Sequence, residues 1–215
     1  DGSHPVYVWN NYGLPNWWEP EWLVIAVSYS GNTEETLEGV EKALAKGGTV
    51  VAITSGGMLT GICEVSDNAN IIHLKSGQPP RSAFGKIFGA MLGFCWRVGL
   101  LKKPKDLDLR DMLERIGKWV QECDIWQNEH NDIILLASAI DEKVISIISG
   151  PELEPASYRM KCQFNENSAR FARIATIPEM NHNELISWGG LRYEADSRID
   201  DQAVLLLNWD GESSK

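Results

Sequence analysis

Leu23-Val24-Ile25-Ala26-Val27-Ser28-Tyr29-Ser30-Gly31-Asn32-Thr33 is the stretch that decides the fold. Its first five residues are continuously apolar and too few for a helix, the pattern of a strand buried on both faces. A polar turn follows, and from Glu34 to Lys46 the apolar residues recur at helical spacing. A second apolar run, Thr49 to Thr54, ends in Ser55-Gly56-Gly57 and completes a strand–helix–strand unit. Because the helix carries the chain back along the sheet, its strands are expected to be parallel.

Working outward, Ile71 to Leu74 reads as a third strand, and after Gln78-Pro79-Pro80 a helix runs from about Ser82 to Leu100. The uncharged run inside it, Ile87 to Trp96, is about half of what a membrane span requires, so it reads as a buried helix. Lys102-Lys103-Pro104-Lys105-Asp106 breaks the pattern and is the candidate linker. Beyond it Leu107 to Ala139 is helical in two pieces interrupted near Asn128, and Lys143 to Ile148 is a strand stopped by Ser149-Gly150-Pro151. A helix from Leu153 to Arg170, a strand from Ala172 to Ile177, a short helix near Pro178 and a last strand from Ala203 to Trp209 follow. Pro5 to Trp9 reads as an additional edge strand. Strands and helices that alternate on both sides of a linker put the chain in the α/β class, with domains at 1–103 and 104–215.

Composition excludes several classes. With 215 residues, 43% apolar and 23% charged, the chain is neither disordered, collagen-like nor coiled coil. Against 20 basic residues stand 30 acidic ones, and a net charge of −10 repels nucleic acid. Cys63, Cys95, Cys123 and Cys162 lie roughly 30 to 40 residues apart with no CxxC pair, which suits isolated thiols in a reducing cytoplasm rather than a metal set. Asp1-Gly2-Ser3-His4 has neither the basic nor the apolar region of a secretory leader, so none is expected, and no membrane association either. Trp9, Trp17, Trp18 and Trp22, four of nine tryptophans, cluster before the first strand. They suit a platform for a sugar ring or a loop packed on a neighbouring domain or subunit.

Ser28, Ser30 and Thr33 bracket the point where a buried strand feeds a helix, in the crevice where open α/β sheets bind ligands. Hydroxyls and helix-start N–H groups attract an anion there, and Gly31 lets the backbone come close. No lysine accompanies them as in a nucleotide P-loop, so a phosphomonoester is the better fit. An ordinary Ser/Thr-rich helix cap is the alternative.

The residues Val24 to Thr36 resemble the phosphate-binding segment of sugar isomerase (SIS) domains. Pro79-Pro80-Arg81-Ser82-Ala83, Asn165-Glu166-Asn167-Ser168-Ala169 and Pro178-Glu179-Met180-Asn181-His182-Asn183-Glu184 together resemble the bifunctional phosphoglucose/phosphomannose isomerases. The resemblance implies two SIS domains, each a parallel sheet flanked by helices in a flavodoxin-like three-layer sandwich. It implies interconversion of glucose 6-phosphate and mannose 6-phosphate with fructose 6-phosphate through an enediol, with no metal and no cofactor. Glu166 would be the base between C1 and C2, His182 the ring-opening acid/base, Arg81 the cation beside the enediol oxygen, and Ser28, Ser30 and Thr33 the phosphate ligands. It further implies a homodimer whose active site takes its histidine from the partner subunit.

Other readings of these residues stand beside those roles. A carboxylate such as Glu166 in a polar helix is ordinarily solvated, His182 sits where capping residues are common, and Arg81 after a Pro-Pro pair is more often a structural cation. His4, His73 and His130 are scattered and receive no role. The Gly-Gly-Ser turn and first strand with which the family begins, and the closing helices and lysine with which it ends, have no counterpart here. The expectation is therefore a fragment truncated at both ends. A function of a different class, a non-catalytic phosphosugar-binding module that regulates a partner, would need the Ser28 turn but neither Glu166 nor His182.

Overall fold

A computed structural model of the protein describes residues 4–128, 131–189 and 201–211; His130 and the stretch after Gly211 lie outside them. Contacts divide the chain into two units, Asp1–Lys105 and Asp106–Lys215.

In the first unit β1 (Val24–Val27), β2 (Val50–Thr54) and β3 (Ala69–His73) form a parallel sheet in that order. β1 and β2 start in register, Val24 opposite Val50, and β2 pairs with β3 from Val50 opposite Ala69. The middle strand β2 is buried along its whole length, which is why its sequence is apolar without alternation. Helix α1 (Glu34–Ala45) turns Leu37, Val40 and Ala43 inward at the expected spacing. It ends in a Schellman arrangement: Gly47, at φ +78°, donates to the Leu44 carbonyl and Gly48 to that of Ala43. Helix α2 (Gly57–Glu64) adds Leu59 and Cys63 to the same cluster, against Ala26, Val50 and Ala52. A leucine or valine among them contributes about 1.5–3 kcal/mol when fully buried.

Trp18 closes that cluster from the irregular segment before β1, and it is 6% exposed. A Cβ on Gly48 would come within 2.7 Å of its ring, so the end of α1 is bare because the indole lies on it. The other tryptophans there stay at the surface. Tyr7 meets Trp17 edge-on at 4.8 Å, and Trp17 and Trp22 lie 5.4 Å apart. The edge strand expected at Pro5 to Trp9 does not form. Val6, Tyr7 and Val8 are all mostly exposed, so no apolar face drives that segment onto the sheet.

On the opposite face of β2, Val51 and Ile53 are buried, and helix α3 (Phe84–Arg97) meets this strand. The helix expected over 82–100 is thus shorter, with a 3-10 turn, Pro80–Ser82, before it. It is not the buried helix that its composition suggested, for no residue of it is fully buried and Phe84 and Phe88 stack on each other while half exposed. The three strands offer too narrow a face to cover its whole apolar circumference.

In the second unit, helices α4 (Asp106–Glu122) and α5 (Asp132–Ala139) precede β4 (Val144–Ser149). Helix α6 (Glu154–Asn167) leads to β5 (Ala172–Thr176), and a 3-10 turn, Glu179–His182, and helix α7 (Glu184–Gly189) come next. The last strand is β6 (Gln202–Leu207), and the parallel order is β5-β4-β6. Alternation sorts the side chains. Ile145, Ile147, Ala172 and Ile174 pack with Met160 and Phe164 of α6. Ile148 and Ala175 pack on the other face with Met180 and Trp188. On that second face Val204 and Leu206 remain about half exposed, so among the described residues this sheet is covered less fully there.

Replacing Trp18 by Ala is expected to remove about 3–5 kcal/mol of stability, the usual range for deleting a buried aromatic ring. Trp17→Ala, at a surface position, is expected to remove about 1 kcal/mol or less. Urea denaturation of both variants checks this, and equal losses would contradict the assignment of Trp18 to the core.

Candidate functional site

Parallel strands place every strand-to-helix loop of a unit at one edge of its sheet. At that edge of the first unit stand the turn Ser28 to Thr33 after β1, the turn Thr54 to Gly57 after β2, and the segment Leu74 to Arg81 after β3.

Ser28 is 5% exposed, and its Oγ lies 2.8 Å from the Thr33 Oγ1 while accepting from the Gly31 N–H at 3.1 Å. Thr33 is the N-cap of α1, yet its side chain makes no cap bond, because it is turned to Ser28. The first N–H with a helical acceptor is that of Leu37, which leaves the donors of the preceding turn for another acceptor. When Ser28 donates to Thr33, the Gly31, Ser28 and Thr33 groups form one polarised chain that ends on the exposed Thr33 hydroxyl. The Ser30 Oγ, at the surface, accepts from the Asn32 N–H at 3.3 Å. Glu34 and Glu35 in the first turn oppose an anion, but the Tyr12 hydroxyl lies 3.4 Å from the Glu34 carboxylate and engages it. The negative charges of Glu35 and then Glu34 push the Tyr12 phenol above its usual range.

What holds this turn is the next one. Gly31 has φ +68°, and a Cβ on it would stand 1.8 Å from the Gly56 carbonyl oxygen. Gly57, at φ +74°, meets the Ser30 carbonyl in the same way, at 2.3 Å. The Ser55 N–H and hydroxyl both donate to the Tyr29 carbonyl, at 3.0 and 2.6 Å. Asn32 reaches across, its Oδ1 accepting from the Met58 N–H at 3.0 Å, so the cap of α2 comes from the loop that opens α1. The buried Tyr29 ties the third segment, its hydroxyl donating to the Lys75 carbonyl at 2.9 Å. Arg81 leaves that segment in the exposed 3-10 turn.

In the second unit the direction of α6 decides where the two candidate catalytic residues stand. α6 starts beside the C-terminal end of β4, where the buried Ser157 hydroxyl donates to that of Ser149 at 2.8 Å. It ends beside the start of β5, where the Asn165 Oδ1 accepts from the Ala172 N–H at 3.0 Å. Glu166, exposed and next to Asn165, therefore stands at the N-terminal edge of the sheet. His182, exposed at the end of the 3-10 turn that follows β5, stands at the C-terminal edge. A five-residue strand separates these edges, about 15 Å at ~3.3 Å per residue. So Ser28 and Thr33 are brought together, with Ser30 in the same turn, whereas Glu166 and His182 of one chain are not.

Two groups escaped the sequence reading. Asn32 looked like one more turn residue, and its bond to Met58 required knowing that the loops abut. Arg173 and Glu184 form an ion pair inside the second unit, 11 residues apart in sequence and on different elements. Only strict alternation along β5, with Arg173 breaking an apolar run, could have signalled it.

Residues 17–92 match the SIS domain family, and residues 129–215 match the bacterial phospho-glucose isomerase C-terminal SIS domain. The bifunctional phosphoglucose/phosphomannose isomerase of Caldicellulosiruptor bescii is 37% identical over 190 residues, which cover 85% of this chain and 54% of that protein. The protein of the same name from Aquifex aeolicus is 32% identical over 97% of this chain and 59% of its own length. The chain thus spans about half the length of the curated relatives it matches. Among solved structures, the tagatose-6-phosphate ketose/aldose isomerase of Escherichia coli superposes with a TM-score of 0.64 over 89% of this chain and 50% of its own, at 18% identity, a likeness of fold.

Gly31→Ala is expected to lower stability by at least about 2 kcal/mol, because left-handed strain is joined by a clash with a carbonyl that cannot withdraw. Gly47→Ala, which is left-handed but has open space at its Cβ, is expected to lower it by only about 1 kcal/mol. Chemical denaturation of the pair checks this, and the interlock of the two turns is refuted if the losses are alike.

Proposed function

The chain belongs to the SIS-domain family of the bifunctional phosphoglucose/phosphomannose isomerases, and on that premise we propose that it interconverts glucose 6-phosphate and mannose 6-phosphate with fructose 6-phosphate. Each unit is then one SIS domain, and the protein works in the cytoplasm, a reading that its four unpaired cysteines suit.

The observation that carries this reading is the Ser28–Thr33 hydroxyl pair at the start of α1, because it leaves an anion-sized set of donors at a sheet edge. The Ser30 and Thr33 hydroxyls and the helix-start amides hold the phosphomonoester, with Ser28 aligning Thr33 from behind, and that remote binding energy keeps the reacting carbons aligned. His182 gives a proton to the ring oxygen as the C1–O5 bond breaks, and the proton of the anomeric hydroxyl passes to the same imidazole, which leaves the C1 aldehyde. The Glu166 carboxylate then takes the proton from C2. Electrons pass to the C1 carbonyl oxygen to give the enediolate, beside whose oxyanion Arg81 supplies fixed positive charge. The same carboxyl returns its proton at C1, the proton of the C2 hydroxyl passes to O1, and the ketose closes.

The opposite-edge placement of Glu166 and His182 supports an active site completed by a second copy of the chain. So does α4, whose Leu113, Trp119 and Val120 are 63%, 71% and 66% exposed. The regulatory reading is the weaker one, since the relatives named above carry the names of isomerases.

Glu166→Gln is expected to lower formation of fructose 6-phosphate from either hexose phosphate by about 10²–10⁴, the usual contribution of a general base, and to leave binding within about twofold. Unchanged turnover would reject the base. Mixing inactive Glu166→Gln and His182→Asn chains is expected to restore about a quarter of normal activity, because random pairing gives half heterodimers with one intact site in two. No recovery after mixing would mean that both residues serve one chain.

A further inference from the structure

We propose that Arg173 and Glu184 are positioning residues for His182, and that their ion pair is what holds the ring-opening imidazole in place. The inference rests on the reading of His182 given above and adds the device that makes it usable. His182 itself is exposed, at the end of a short 3-10 turn whose own hydrogen bonds are few. A side chain so placed needs anchors on both sides of it.

The structure supplies both. Two residues before the histidine, Met180 is 6% exposed and packs with Ile148 and Ala175 of the strands. Two residues after it, Glu184 at the start of α7 accepts from the Arg173 Nη1 at 2.5 Å. Arg173 is not a loose surface cation. It rises from β5, its Nε donates to the Ser146 Oγ of β4 at 2.9 Å, and Ser146 is 1% exposed. The Ser146 hydroxyl in turn donates to the Gln202 side chain on β6 at 3.5 Å. The guanidinium carbon lies 5.5 Å from the ring of Trp188, on α7. One cation thus joins three strands to the helix that follows the histidine, with both partners about two-thirds covered. Water competes less at such a pair than at a surface one, and the planar guanidinium fixes direction as well as distance.

The full chain, with catalysed exchange between the two anomers of glucose 6-phosphate read by NMR, gives the test. That exchange needs ring opening but not the C2 base, so it isolates the step assigned to His182. Arg173→Met is expected to lower anomer exchange and isomerisation together by about tenfold to a hundredfold, the effect of misplacing a catalytic group by about an ångström. KM and the affinity for a linear aldonate phosphate, which mimics the opened sugar, should stay within about twofold. Arg173→Lys keeps a cation for Glu184 but loses the Nε bond to Ser146, and should fall between wild type and Arg173→Met. Glu184→Ala, which truncates the partner without disturbing the strands, should reproduce Arg173→Met. Normal anomer exchange in folded Arg173→Met and Glu184→Ala, while His182→Asn has lost it, overturns the proposal. Unfolding of both variants also overturns it, since the pair would then be a folding device. Normal exchange in His182→Asn would instead remove the reading of the histidine on which the proposal rests.

Discussion

Two backbones in contact, with no room for a side chain between them, set the geometry of the first unit's candidate binding edge. Where Gly31 would carry a Cβ, the Gly56 carbonyl oxygen already stands, and Gly57 meets Ser30 in the same fashion. Contact at this distance fixes one turn relative to the other more tightly than any side-chain packing could, because backbone atoms cannot swing away. The bonds of Ser55 to Tyr29, Asn32 to Met58 and Tyr29 to Lys75 then propagate that fit along the edge. Ser28 and Thr33 can spend their hydroxyls on each other because the cap of α2 and the shape of the turn are looked after by other groups.

In the second unit the governing constraint is direction. A helix between parallel strands must run against them, so whatever lies at its end returns to the start of the next strand. Asn165 and Ala172 make that return explicit. Glu166 and His182, 16 residues apart in sequence, stand for this reason at opposite edges of the sheet, and the proposal of a site shared between two copies rests on that placement. Homodimers with one self-complementary contact meet that demand twice over by symmetry.

The parallel strands and the main helices were legible because buried strands show as unbroken apolar runs and α1 as a periodic one. Strand ends shifted by a residue or two: β3 begins at Ala69 rather than Ile71, since Val50 pairs with Ala69 whatever polarity Asn70 adds. Pro5 to Trp9 misled because apolar content without a surface to cover makes no strand. α3 misled in the opposite sense, its composition promising burial that three strands do not provide. Of the candidate site, the Ser28 turn was legible as a local pattern. The roles of Asn32, Arg173 and Glu184 were not, because each depends on a partner on another element, and nothing in the spacing names that partner. The depth of Trp18 among surface tryptophans was likewise hidden, for all four share one short segment.

The cradle at Ser28 has a consequence for how an anion would arrive there. It is built from hydroxyls and amides, groups whose attraction fades within a few ångströms, on a chain whose net charge is −10. A dianion far from the surface therefore feels repulsion first and finds attraction only on contact. Dissolved salt shortens the reach of the repulsion to about 8 Å at 0.15 M while leaving contact bonds nearly intact. Capture at such a site quickens as ionic strength rises, the reverse of what a cleft lined with lysine and arginine would do.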